Sequence, residues 1–140
     1  MSVQQEVMER ALKIAIEQNY EEAQKFVTET FGKETDLDIV KCDECGEILA
    51  LVENLLARGL SGGDPATTLA IYRHMKQYPD HADMINGYSH GTALPIGKTL
   101  NSALRSTAKK FNLTFMEALD KRIKHLEGKL KAFTESKLNT

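Results

Sequence analysis

Nothing in this 140-residue sequence is apolar for long enough to cross a bilayer: no hydrophobic run approaches the roughly 18 residues a membrane helix needs. No secretory signal is expected either, because Met1-Ser2-Val3-Gln4-Gln5-Glu6 is polar and acidic. There are only two cysteines, which excludes a disulfide framework and leaves the expectation of a cytoplasmic protein with reduced thiols. No GxSxG, no HExxH and no glycine-rich phosphate loop between a strand and a helix occurs. That absence argues for a binding protein rather than an enzyme. Internal repeats and low-complexity stretches are missing too, and 41% hydrophobic with 27% charged residues is an ordinary globular composition, not a disordered one.

What is present fits a single α-helical domain spanning 1–140. Its net charge of −2 conceals a division. Residues 98–140 hold ten Lys/Arg against four Asp/Glu, while residues 1–97 hold eight against sixteen. A basic end on an acidic body suits nucleic-acid contact or attraction between subunits, and a solvated lysine-rich helix face accounts for it equally well.

Helical spacing of Val7, Ala11, Ile14 and Ala15, then of Ala23, Phe26, Val27 and Phe31, predicts helix from residue 3 to about 31. Gln18-Asn19-Tyr20 is the place where it would break into a hairpin, and Gly32 suits a C-cap. Lys33 to Lys41 reads as a brief extended segment. Glu47 to Leu60 reads as a helix, with Ile48, Leu51, Leu55 and Leu56 on one side. Ser61 to Pro65 stops it, Asp64 and Pro65 starting a helix that carries Leu69, Tyr72 and Met75. Pro79 to Pro95 reads as a long irregular loop. Helices near 96–111 and 113–136 close the chain, with Asn112 as turn residue and Thr114 with Glu117 at the spacing of a capping box. The expected fold class is therefore all-α, with five to six helices.

Ala11-Leu12, Ala15, Asn19-Tyr20-Glu21-Glu22-Ala23 and Phe26 together resemble one tetratricopeptide repeat. Such repeats need about three copies to bury a continuous core, so what the resemblance implies here is one helical hairpin.

The sharpest local signal is Cys42-Asp43-Glu44-Cys45-Gly46. Two thiols separated by two residues can bite one metal ion, because a tight turn aims both at a common point and a following glycine permits that turn. The pattern resembles half of a zinc knuckle of the zinc-ribbon kind. Four ligands are needed, and His74, His81 and His90 are the available completions, with His81 and His90 inside the irregular segment forming the preferred set. Two chains could instead share one ion through their cysteine pairs. A redox pair at a helix N-terminus, or two small residues simply packing the start of the 47–60 helix, also accounts for the motif.

Met116, Leu119, Ile123, Leu126, Leu130 and Phe133 recur at spacings of three and four, a heptad seam for a long helix packing on another. The partner is another helix of the chain or the same helix of a second subunit, which makes these six the candidate oligomer interface. The segment Leu104, Thr107 to Thr114, Ala118-Leu119, Arg122-Ile123-Lys124, Leu126-Glu127 and Leu130 resembles the helix-turn-helix of LysR-type transcription regulators. That resemblance implies a second helix in the major groove, with Lys109, Lys110, Thr114, Lys121, Arg122 and Lys124 as the nucleic-acid-binding residues.

Two functions follow as expectations: a non-enzymatic DNA-binding regulator with zinc as its one candidate cofactor, or a protein-interaction module such as an adaptor or inhibitor. Partners would be a second copy, DNA or another protein. A small-ligand sequestering protein using the Gly/His segment of 79–95 is a third.

Overall fold

Five α-helices, one 3-10 helix and four strands make up the described residues of a computed structural model. Those residues are 3–32, 37–55 and 65–138, with the backbone alone described at 3–5 and 133–138. In chain order the elements are α1 (Val3–Glu17), α2 (Tyr20–Phe31), β1 (Leu37–Cys42), β2 (Ile48–Glu53), α3 (Pro65–Gln77), the 3-10 helix η1 (Pro79–Met84), β3 (Ile85–Ser89), β4 (Thr92–Leu94), α4 (Ile96–Lys110) and α5 (Phe115–Leu138). The all-α expectation is thus overturned by an antiparallel sheet of order β2-β1-β3-β4.

Burial explains the error at 47–60. Ile-Leu-Ala-Leu-Val is apolar without interruption because β2 is covered on both faces. Ala50 and Val52 join the core under α3, α4 and α5, whereas Leu51 faces the other way, toward α1 and α2. A strand buried on both sides reads as a continuous apolar run, and periodicity alone cannot separate it from a helix. Residues 56–60 of the expected helix, with Ser61 to Asp64 beyond it, lie outside the described residues. The irregular loop at 79–95 is likewise mostly structured, as η1 and the β3–β4 hairpin. His90 and Gly91, at φ 50° and 80°, form a two-residue connection whose positive φ values match the twist of the paired strands.

β1 is the hinge of the layering, since alternate residues serve opposite cores. Leu37 and Ile39 pack with Val7, Ala11, Ala15, Ala23 and Val27 of the α1–α2 hairpin. Val40 and Cys42 pack with α3, α4 and α5. Asp38 is the buried exception on that second face, and its carboxylate accepts the Leu55 N–H at 2.6 Å and the Ser89 hydroxyl at 2.9 Å. The hairpin reading of 3–31 holds: the Asn19 side chain caps α2 by accepting the Glu22 N–H at 2.9 Å, and Gly32 at φ 70° ends it.

The closing helices fall where expected. Asn112 takes φ 55° in the turn, and Thr114 and Glu117 cap α5 reciprocally at 2.9 and 3.1 Å. The seam is consumed inside the chain: Leu119, Ile123 and Leu126 are buried in the core with α3 and α4, and Leu130 packs against it. Met116 is exposed, and the side chain of Phe133 lies outside the described residues. Among the described residues no helix is long and apolar enough to cross a membrane.

Candidate metal centre

Three separate stretches of chain bring their polar ends to one point beside the sheet. The end of β1 contributes Cys42 and the β1–β2 turn Cys45, the last turn of α3 contributes His74, and η1 contributes His81. The four ligand atoms all lie within 4.8 Å of one another. Cys42 Sγ is 3.6 Å from His81 Nδ1, Cys45 Sγ is 3.6 Å from His74 Nε2, and the two ring nitrogens are 3.4 Å apart.

Those spacings can be compared with a tetrahedral ion. Metal–sulfur bonds of about 2.3 Å and metal–nitrogen bonds of about 2.05 Å put adjacent sulfur and nitrogen about 3.6 Å apart, and two nitrogens about 3.3 Å apart. Three of the donor–donor distances therefore match the edges of a coordination tetrahedron, and the remaining ones lie within 4.8 Å. The set Cys42, Cys45, His74 and His81 fits a metal such as zinc.

The turn is built for this. Gly46 sits at φ 78°, the left-handed region an L side chain resists, and its N–H bonds to the Cys42 carbonyl at 2.7 Å. The backbone N–H groups of Glu44 and Cys45 pull the Cys42 thiol toward its thiolate form. Asp43 anchors the turn from outside: its N–H donates to the Met84 carbonyl at 2.8 Å. Its carboxylate accepts from Asn86 at 2.7 Å and from the Tyr88 hydroxyl.

η1 reaches the centre because it lies close on α4. At Gly97 an added Cβ would run into the Ala82 carbonyl oxygen and stand 2.7 Å from that of Ile85, so only glycine admits this contact. Tyr78 then stacks on His81 with ring centroids 4.8 Å apart, fixing the imidazole plane.

Electrostatics describe a site short of positive charge. Burial pushes the Cys42 thiol up from its ordinary value, outweighing the two backbone N–H groups that would lower it. Burial also pushes His74 down, against the upward pull of Glu47, a shift that favours the neutral imidazole, the form with a lone pair to donate. A divalent cation supplies the charge that favours a thiolate here. Glu47 Oε2 lies 3.2 Å from His74 Nδ1, the carboxylate–histidine arrangement that orients a metal-bound ring through its far nitrogen.

Of the residues named from sequence, Cys42, Cys45 and His81 come together as expected, and His90 does not. His90 stands in the β3–β4 turn, outside the cluster, and His74 takes the fourth corner. His74 follows Cys45 by 29 positions and precedes His81 by seven. Its place on the inner face of α3, shared with Ile71, Tyr72 and Met75, was the available signal. The helix start on which the redox reading rested is not there, because β2 follows Cys45 in place of the expected 47–60 helix. Lys109, Lys110, Thr114, Lys121, Arg122 and Lys124 are all exposed at the α4–α5 corner and along α5. Asp120 and Glu127, neighbours of the last three, contact Lys76 at 2.7 Å and Arg73 at 3.3 Å on α3.

Comparison with models of known protein families, with curated proteins and with solved structures yields no match for this chain.

Proposed function

We propose that this chain is a non-catalytic binding protein whose fold is pinned by one zinc ion held by Cys42, Cys45, His74 and His81. The observation that carries the reading is the convergence of two sulfurs and two imidazole nitrogens within 4.8 Å, with three of their separations at tetrahedral edge length. An S2N2 tetrahedron selects zinc among the common divalent metals. Four protein ligands fill the coordination shell, which is the pattern of structural zinc; catalytic sites keep one position for water or substrate. The ion would tie the β1–β2 turn to α3 and η1, elements far apart in the sequence.

The test is metal content and ligand chemistry on the purified protein. One zinc per chain is expected, replaceable by cobalt with the visible bands of a tetrahedral, thiolate-ligated ion. His81→Ala and Cys45→Ser should lose the metal under mild chelation, and His90→Ala should keep it. Purified protein that takes up less than a tenth of an equivalent of zinc, or a His90→Ala variant that loses it as His81→Ala does, refutes the assignment.

A further inference from the structure

Among the described helices, α3 and α4 both carry cations without a carboxylate, but the cations of α4 are not neutralised by a neighbouring helix. α4 carries Lys98, Arg105, Lys109 and Lys110 and no carboxylate at all. All four cations are exposed, and among the described residues none of them is ion-paired, unlike Arg73 and Lys76 on α3. At 100° per residue, Lys98, Ser102, Arg105, Ser106 and Lys109 share one arc of roughly 100°. From Lys98 to Lys109 the arc runs about 16 Å along the helix. Its opposite side, Ile96, Leu100, Leu104 and Ala108, is buried in the core.

We infer that this arc is a docking surface for the phosphate backbone of a nucleic acid, bound without regard to sequence. Cations interleaved with hydroxyls are the side chains that contact phosphate oxygens, and an unpaired single-sign stripe is complementary to a polyanion. A lipid surface fits poorly, since α4 spends its apolar face on the core and leaves Phe111 at its C-cap as a lone exposed ring, not the continuous apolar face that interfacial helices insert. An acidic protein fits less well, because aromatic side chains stand only at the C-terminal end of the arc, Phe115 beneath Arg105 and Phe111 beside Lys110, and none lies along the rest of it for a protein interface to centre on. The inference differs from the helix-turn-helix expectation in its element. α4 lies along the backbone, whereas α5 presents Glu117 and Asp120 near its start, which a groove would repel. Zinc is not required for it, so failure here leaves the metal assignment untouched.

The test is fluorescence anisotropy of the full chain with a labelled mixed-sequence duplex and, in parallel, a labelled single strand. Three to four neutralised phosphates predict a slope of log K against log salt of about −3 for the duplex, and an affinity about 40- to 150-fold weaker at 200 mM than at 50 mM salt. Lys98→Glu with Arg105→Glu should abolish binding, and Lys13→Glu with Lys25→Glu, the same charge change on α1 and α2, should retain most of it. Circular dichroism confirms that both variants fold. Absence of binding at 50 mM salt, equal loss in both double variants, or equally tight binding to vesicles rich in anionic lipid overturns the inference.

Discussion

Stripping the ion is expected to lower the melting temperature by about 12 °C, and the size follows from what the ion joins. A metal bridging Cys45 and His74 closes a loop of 29 positions. The chain-entropy expression for a cross-link over such a loop gives about 12 cal/mol/K, or about 3.6 kcal/mol at 25 °C. A chain of 140 residues melts with an entropy of about 0.29 kcal/mol/K, and the quotient is the 12 °C shift. Far-UV circular dichroism melts of zinc-loaded protein, of chelated protein and of chelated protein resupplied with zinc make the measurement. Cys45→Ser serves as the internal control, since it should melt near the chelated temperature and ignore the chelator. A wild-type melt that moves by less than about 3 °C on chelation, or a Cys45→Ser variant that responds as the wild type does, shows that the cluster is not a staple.

Glu47→Gln keeps the shape of the side chain that faces His74 Nδ1 but removes its charge, and should weaken zinc about 10-fold or more in a chelator competition. Gly97→Ala forces η1 away from α4, which should cost about 3 kcal/mol in urea unfolding and loosen zinc as well, because His81 rides on η1. Asp43 provides the pH test. Desolvation alone would raise its carboxyl, but the Tyr88 and Asn86 hydrogen bonds and the Lys41 charge outweigh it and hold the group below its ordinary 3.8. Its contribution to stability should therefore be complete above pH 3.8 and fade as pH falls through the lower folded value. A carboxyl NMR titration placing Asp43 at or above 3.8 contradicts that geometry.

Helices whose exposed faces are polar could be read from the sequence, and strands covered on both faces could not. α1, α2, α4 and α5 each carry a solvent face that makes the 3.6-residue period visible, and their ends are marked by Asn19, Gly32 and the Thr114–Glu117 pair. β2 has no such face, so Ile48 to Val52 mimicked a helix. β3 and β4 were hidden by Gly87, Gly91 and the flanking prolines, which looked like loop composition, although His90-Gly91 is a two-residue hairpin connection. The error carried into the site. With 79–95 taken as one flexible loop, His81 and His90 seemed equivalent partners for the cysteine pair. Once Pro79–Met84 is a 3-10 helix held on α4 at Gly97 and residues 85–94 form a hairpin, only His81 points at the pair, and His74 reaches it from α3. Four of the six seam residues, Leu119, Ile123, Leu126 and Leu130, do pack, and they pack on α3 and on α4, the 96–111 helix that was one of the expected partners.

X-ray absorption at the zinc edge of the purified, zinc-loaded protein tests the central claim most directly, since it counts the ligand atoms themselves. The expected shell is two sulfurs at about 2.3 Å and two imidazole nitrogens at about 2.0–2.1 Å, with one sulfur lost in Cys45→Ser and one imidazole lost in His74→Ala. A shell of oxygen and nitrogen alone, or one unchanged by those substitutions, would place the metal elsewhere and remove the staple from the account.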